Sequence, residues 1–184
     1  ALAAPLPVMV IAKMLGVEDG NMQVFKSWSD AIFSNIADIL FATPSPEALF
    51  AADEMDHYFL DKIAFIRQHP QPHLLGRLIE TKTEEGYLSD DELLSFCRLL
   101  LIAGNETTTG LITASARVFH AFPATLGQLN LDPSLTTTFI EEALRFYSPF
   151  SATVRRTKSE VVIAGQQIPK GELVLPLIAS ANRD

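Results

Sequence analysis

A chain of 184 residues with 48% apolar and 20% charged side chains has enough apolar surface to offset its conformational entropy, which excludes a disordered protein. The formal net charge is −8, and residues 1–100 carry all of the excess, with 7 basic and 15 acidic side chains, so no basic footprint for nucleic acid exists. The single cysteine, Cys97, rules out an internal disulfide and a cysteine-rich zinc site. No stretch reads as a membrane span or a secretory leader, and the expected location is cytoplasmic.

The chain reads as helix first and strand later. Residues 6–15 form a short apolar helix, with Pro5 and Pro7 at its start and Gly16 at its end. Phe25, Trp28, Ile32, Phe33, Ile36 and Ile39 recur at helical spacing over residues 23–40. Thr43-Pro44-Ser45-Pro46 breaks the chain, and Ser45 or Thr43 can cap a helix over 47–68, which ends before Pro70. A further short helix is predicted over 74–83. Ser89-Asp90-Asp91-Glu92 is a capping box, and the apolar pattern after it runs to Phe122. One helix over 89–122 would be about 50 Å long and pass through the middle of a domain. After a proline- and glycine-marked connection, 134–147 is helical. Residues 152–156, 161–164 and 173–177 then read as strands, with turns at Gly165-Gln166-Gln167 and Pro169-Lys170-Gly171. The fold class is mainly α (α+β), with a small β-sheet.

Three segments break local rules. Ala103-Gly104-Asn105-Glu106-Thr107-Thr108-Thr109-Gly110 places two glycines, three threonines and a carboxylate inside the long helix, at a cost of about 1 kcal/mol per glycine relative to alanine. An irregularity is expected between Gly104 and Thr108, since a threonine hydroxyl can bond the carbonyl one turn back and bend the helix. Ala103 and Gly104 leave a shallow place for something flat, with an acid and a hydroxyl beside it. Glu142 and Arg145 sit at i and i+3 and can pair. Arg155 and Arg156 point to opposite faces of a strand.

Together and in this order, these segments resemble the cytochrome P450 family of haem-thiolate monooxygenases, nearest its soluble bacterial members. Ala103-Gly104-Asn105-Glu106-Thr107-Thr108 matches the central-helix motif Ala/Gly-Gly-x-Asp/Glu-Thr-Thr, and Glu142-x-x-Arg145 matches Glu-x-x-Arg. Pro149 followed by Arg155, then Ile168-Pro169-Lys170-Gly171 and Ala181-Asn182-Arg183-Asp184, match the sheet region after it. The resemblance implies an incomplete P450-like helical fold, residues 1–184 being the central part of one domain truncated at both ends.

It further implies haem as cofactor. Ala103 and Gly104 would lie against it and Arg155 would meet a propionate. Thr107 would hydrogen-bond the reacting oxygen, and Glu106 would relay protons. Leu100, Leu101, Phe150, Ala152 and Val154 would line an apolar substrate pocket. Glu142 and Arg145 would form a largely buried structural pair. A ferredoxin or flavodoxin-type redox partner and an apolar small-molecule substrate are implied for the parent protein, and no nucleic-acid or membrane partner.

The family's haem-ligating cysteine lies downstream of Asn-Arg-Asp and is expected outside this chain. Cys97 stands about 15 Å of helix rise before Thr107 and reads as a buried apolar residue, so no metal ligand is assigned. The fragment alone is expected to be inactive. The alternative is a haemless P450-like accessory or binding protein.

Overall fold

The computed structural model describes residues 2–17, 21–35, 43–84 and 86–184. It divides into two units, Ala1–Thr109 and Gly110–Asp184. Helix α1 (Pro5–Leu15) has prolines where an amide donor is not needed. It closes in a Schellman motif: Gly16, at φ 73°, donates to the Lys13 carbonyl and Val17 to the Ala12 carbonyl. Helix α2 (Met22–Ser34) follows; the rest of the expected 23–40 helix lies outside the described residues from position 36 on. Of the two candidate caps, Ser45 opens α3 (Pro46–Gln68), its Oγ accepting from the Ala48 amide at 3.1 Å.

Helix α4 (Leu74–Glu80) is capped by His73, whose Nδ1 accepts from the Gly76 amide at 3.2 Å. The helix predicted to reach residue 83 stops at Glu80, because Lys82–Thr83 (β1) turns back to pair antiparallel with Gly86–Tyr87 (β2). The long helix α5 (Asp90–Ala121) is present and uninterrupted. Its capping box forms in both directions, with the Glu92 amide donating to Ser89 Oγ at 3.3 Å and the Ser89 amide to Glu92 Oε2 at 2.8 Å. These bonds hold the Glu92 carboxyl below its ordinary range.

The first unit buries one continuous core. Leu15, Phe25, Met55, Phe59, Ile63, Leu75, Leu93, Cys97 and Leu101 are almost wholly inside. Phe25 lies at its centre, with Trp28, Tyr58 and Phe59 packed around it at ring-centroid distances of 5.1, 5.1 and 5.6 Å. Trp28 satisfies its indole N–H on Glu54 at 3.1 Å.

In the second unit, α6 (Pro123–Leu131) occupies the proline- and glycine-marked connection, for which no helix was expected. Pro123 starts this helix rather than preventing it. After a 3-10 turn (Pro133–Leu135) comes α7 (Thr136–Tyr147), stopped by Ser148 at φ 38° ahead of Pro149. Two separate antiparallel ladders replace the single small sheet expected there. Arg155–Arg156 (β3) pairs with Leu173–Val174 (β6), and Val161–Ile163 (β4) with Gln166–Ile168 (β5). The second turn is Ala164-Gly165, at φ 48° and 81°, the positive-φ pair that a two-residue hairpin requires. Gln166 and Gln167, read as turn residues, belong to the returning strand. A last short helix α8 (Ile178–Ala181) is followed by Asn182, whose carbonyl accepts from Arg145 near the end of α7.

Candidate functional site

Helix α5 sorts its residues by register. Leu94, Cys97, Leu101 and Asn105 face inward and are buried, whereas Leu99 and Ala103 face outward, with Leu99 66% exposed. Ala103, exposed, and Thr107, half-buried, are one turn apart on this side of the helix. Of the two α5 residues expected to line a substrate pocket, Leu100 is half-buried, and Leu101, with no exposed surface, belongs to the core of the first unit.

The Gly104–Thr108 stretch remains regular helix, without the expected irregularity. Thr107 Oγ1 donates to the Ala103 carbonyl at 2.7 Å, so the predicted back-bond forms without breaking the helix. Gly104 faces α1: a Cβ there would come within 2.9 Å of Ile11 Cδ1, the far end of a flexible side chain that would have to turn aside. Of the pair Ala103-Gly104, Ala103 is exposed and Gly104 half-buried.

Glu106 is half-buried, its Oε1 accepting from Asn105 Nδ2 at 3.3 Å. Asn105 also donates to Ser29 Oγ on α2 at 2.8 Å, and both partners are buried. Sequence reasoning passed over Asn105 as a site residue. The signal was its register: it continues the inward series Leu94, Cys97, Leu101, where a polar group must find a partner. Cys97 is fully buried, and desolvation raises its thiol pKa to about 12, so it is an inert thiol with no thiolate to offer.

In the second unit, Arg145 grips Glu142 with two charge-assisted bonds, Nε to Oε2 at 2.7 Å and Nη2 to Oε1 at 2.6 Å. The Arg145 side chain is 46% exposed and that of Glu142 59%. The pair therefore forms as predicted, but on the surface rather than in a buried network. The bonds from Arg145 hold the Glu142 carboxyl below its ordinary range. Arg145 also reaches the Asn182 carbonyl, Asn182 bonds Ser148 Oγ at 3.1 Å, and Arg183 bonds the Phe146 carbonyl at 2.6 Å. These bonds tie residues 182–183 to the end of α7.

Arg155 is exposed, its Nη1 donating to Thr153 Oγ1 at 2.7 Å and to the Val154 carbonyl at 2.9 Å. Both acceptors are neutral, and among the described residues no carboxylate pairs with it. Ala152 and Val154 are half-buried and Phe150 is exposed. An open apolar cleft of about 340 Å³ lies elsewhere in this unit, among Val118, Phe122, Phe139, Ala143 and Phe146. Among the described residues no group of three His, Cys, Asp or Glu side chains converges as a metal site, and no helix is long and apolar enough to cross a membrane.

Comparison with known proteins adds a family. A sequence model of the family "Cytochrome P450" matches residues 132–184. Cytochrome P450 119 of Sulfolobus acidocaldarius is 39% identical over 183 residues, covering 100% of this chain and 46% of its own length. Cytochrome P450 107B1 of Saccharopolyspora erythraea is 38% identical over 184 residues, covering 99% and 44%. Among solved structures, CYP109E1 of Bacillus megaterium in complex with testosterone superposes with a TM-score of 0.86 at 39% identity, over 100% of this chain and 49% of that one. The chain thus spans about half the length of the relatives it matches.

Proposed function

We propose, on the premise that this chain belongs to the cytochrome P450 family, that the protein it represents is a haem-dependent monooxygenase of the bacterial cytoplasm acting on an apolar small molecule. The observation that carries the reading is the side of α5 that holds Ala103 and Thr107. Ala103 offers a face without bulk, Thr107 places a hydroxyl one turn further on, and Glu106 stands beside it.

The residues present fit part of what haem needs. Ala103 can lie against a flat ring, and the Arg155 guanidinium, held by neutral oxygens alone, can accept the charge of a propionate. Cys97 does not fit the role of iron ligand, since it is buried and protonated at any ordinary pH. The thiolate has to come from polypeptide outside these 184 residues. Haem, when bound, supplies activation of dioxygen with two electrons, for which a ferredoxin or flavodoxin-type protein is the proposed donor.

The rest falls to the chain. The Thr107 hydroxyl donates to Ala103 O and keeps lone pairs that can accept from water or from a protonated acid. Glu106, half-buried and tethered at one oxygen, can take a proton from water and hand it inward. Leu99 and Leu100 leave apolar surface open on α5, and Phe150, Ala152 and Val154 leave apolar surface open in the second unit, a character that suits a hydrophobic substrate. The testosterone-bound relative supports a substrate of that class. Residues 1–184 are proposed to be the central part of one such domain, and inactive alone.

Thr107→Ala in the haem-loaded protein tests this. Haem content should stay unchanged while NAD(P)H consumption separates from product and peroxide rises. Unchanged coupling would reduce Thr107 to a helix back-bond. The second reading, a haemless accessory protein, is favoured by the inert Cys97. It predicts no carbon monoxide band after reduction.

A further inference from the structure

We infer that Asn105 is a positioning residue that ties the Glu106 carboxylate to Ser29 on α2. The inference rests on the reading of Glu106 as a proton carrier given above. Asn105 is 1% exposed in the middle of a 32-residue helix, at an inward position where leucine or alanine would form helix better and need no partner. Its amide has two N–H donors and one carbonyl. Both donors are committed, one to Ser29 Oγ at 2.8 Å and one to Glu106 Oε1 at 3.3 Å. Ser29 is itself wholly buried, so this is an interior polar link between two helices of the first unit, with its far end at the carboxylate.

The third group of the amide is the informative one. Asn105 Oδ1 is buried and has no hydrogen-bond partner. A buried acceptor left alone is rare and needs a reason. Its two N–H donors hold the Ser29 hydroxyl and the Glu106 carboxylate, and Oδ1 is the group left over, so the amide is spent on the link and the carboxyl group is tethered to α2. A carboxylate free to swing would deliver protons less selectively, and water would compete for the same path.

The test uses the full chain labelled with nitrogen-15. The Asn105 side-chain NH₂ should give two well-separated, slowly exchanging proton signals. Glu106→Gln should move one of them and Ser29→Ala the other, with the thermal midpoint of the chain recorded for both variants. In the haem-loaded protein, Ser29→Ala and Asn105→Leu should raise peroxide relative to product, by about 10-fold for Asn105→Leu, with substrate affinity unchanged. Asn105→His, which keeps an N–H donor, should restore part of the coupling. An Asn105 NH₂ pair that responds to neither substitution, or that exchanges as fast as a surface amide, overturns the tie. A pair that responds while Glu106→Gln leaves coupling intact supports the tie and overturns the proton-carrier role instead.

Discussion

The two units differ in what they bury. In the first, helices α1 to α5 contribute to a continuous apolar core with a cluster of the rings of Phe25, Trp28, Tyr58 and Phe59. In the second, Ala114, Ala143 and Ser148 are the buried residues among those described, while Leu131 is 89% and Val162 63% exposed. Both stretches are rich in apolar side chains, so composition alone does not make a core. In the first unit α1 to α4 pack against one another. In the second, two-stranded ladders leave one face of each strand uncovered. Its exposed apolar surface fits a chain that spans about half the length of its relatives.

The comparison breaks first if core truncations behave alike in both units. Phe59→Ala in the first should cost about 3–5 kcal/mol in urea unfolding. Phe146→Ala in the second removes a ring already 46% exposed and should cost about 1 kcal/mol or less. Next comes Gly16→Ala, which forces alanine to φ 73° and a methyl group into the His73 ring. The backbone term alone is about 1–2 kcal/mol, visible as a lower urea midpoint.

Acidification sharpens the comparison within the first unit. Burial, and then the charge of Lys62, lower the pKa of His73. The unfolded chain binds this proton more readily, so stability falls as pH drops below about 6.5 toward the folded value and then levels off. Protonation at Nδ1 also removes the cap on Gly76. His73→Asn keeps a capping acceptor and should flatten the melting temperature between pH 7.5 and 5, as orders of magnitude for this window follow from ordinary histidine titration at about 6.5. His57 runs the other way. The Asp53 carbonyl and then its carboxylate raise its pKa, so its contribution is present at low pH and lost as pH rises through the folded value. It is fully exposed, and His57→Gln should change the profile least.

The smallest effect belongs to the surface pair. Arg145→Ala should leave global unfolding nearly unchanged, because an exposed pair is screened by water and salt. Its trace should be local, as faster amide exchange at residues 178–184, where Arg145 holds the Asn182 carbonyl.

Much of the fold was legible because its signals are local. The Ser89–Glu92 box and the register after it give α5, Gly16 ends α1, and Ser45 opens α3. The misreadings have local causes too. Pro123 is the same residue whether it breaks a helix or begins one. Strands of two residues, as at Lys82–Thr83 and Gly86–Tyr87, carry no alternation to read. Spacing showed that Glu142 and Arg145 would meet, but depth depends on what else is packed around them. At the candidate site, residue types pointed to Glu106 and Thr107. The approach of Ile11 to Gly104 and the buried link from Asn105 to Ser29 depend on residues 93 and 76 positions away in sequence, which no local pattern carries.

Amide hydrogen exchange along the full chain tests the central contrast most directly, since α5 runs from one unit into the other. The account predicts slow exchange, close to that of global unfolding, in α3 and in the part of α5 before Thr109. It predicts much faster exchange in α6, α7 and the β4–β5 hairpin. Equal protection in both units would contradict it.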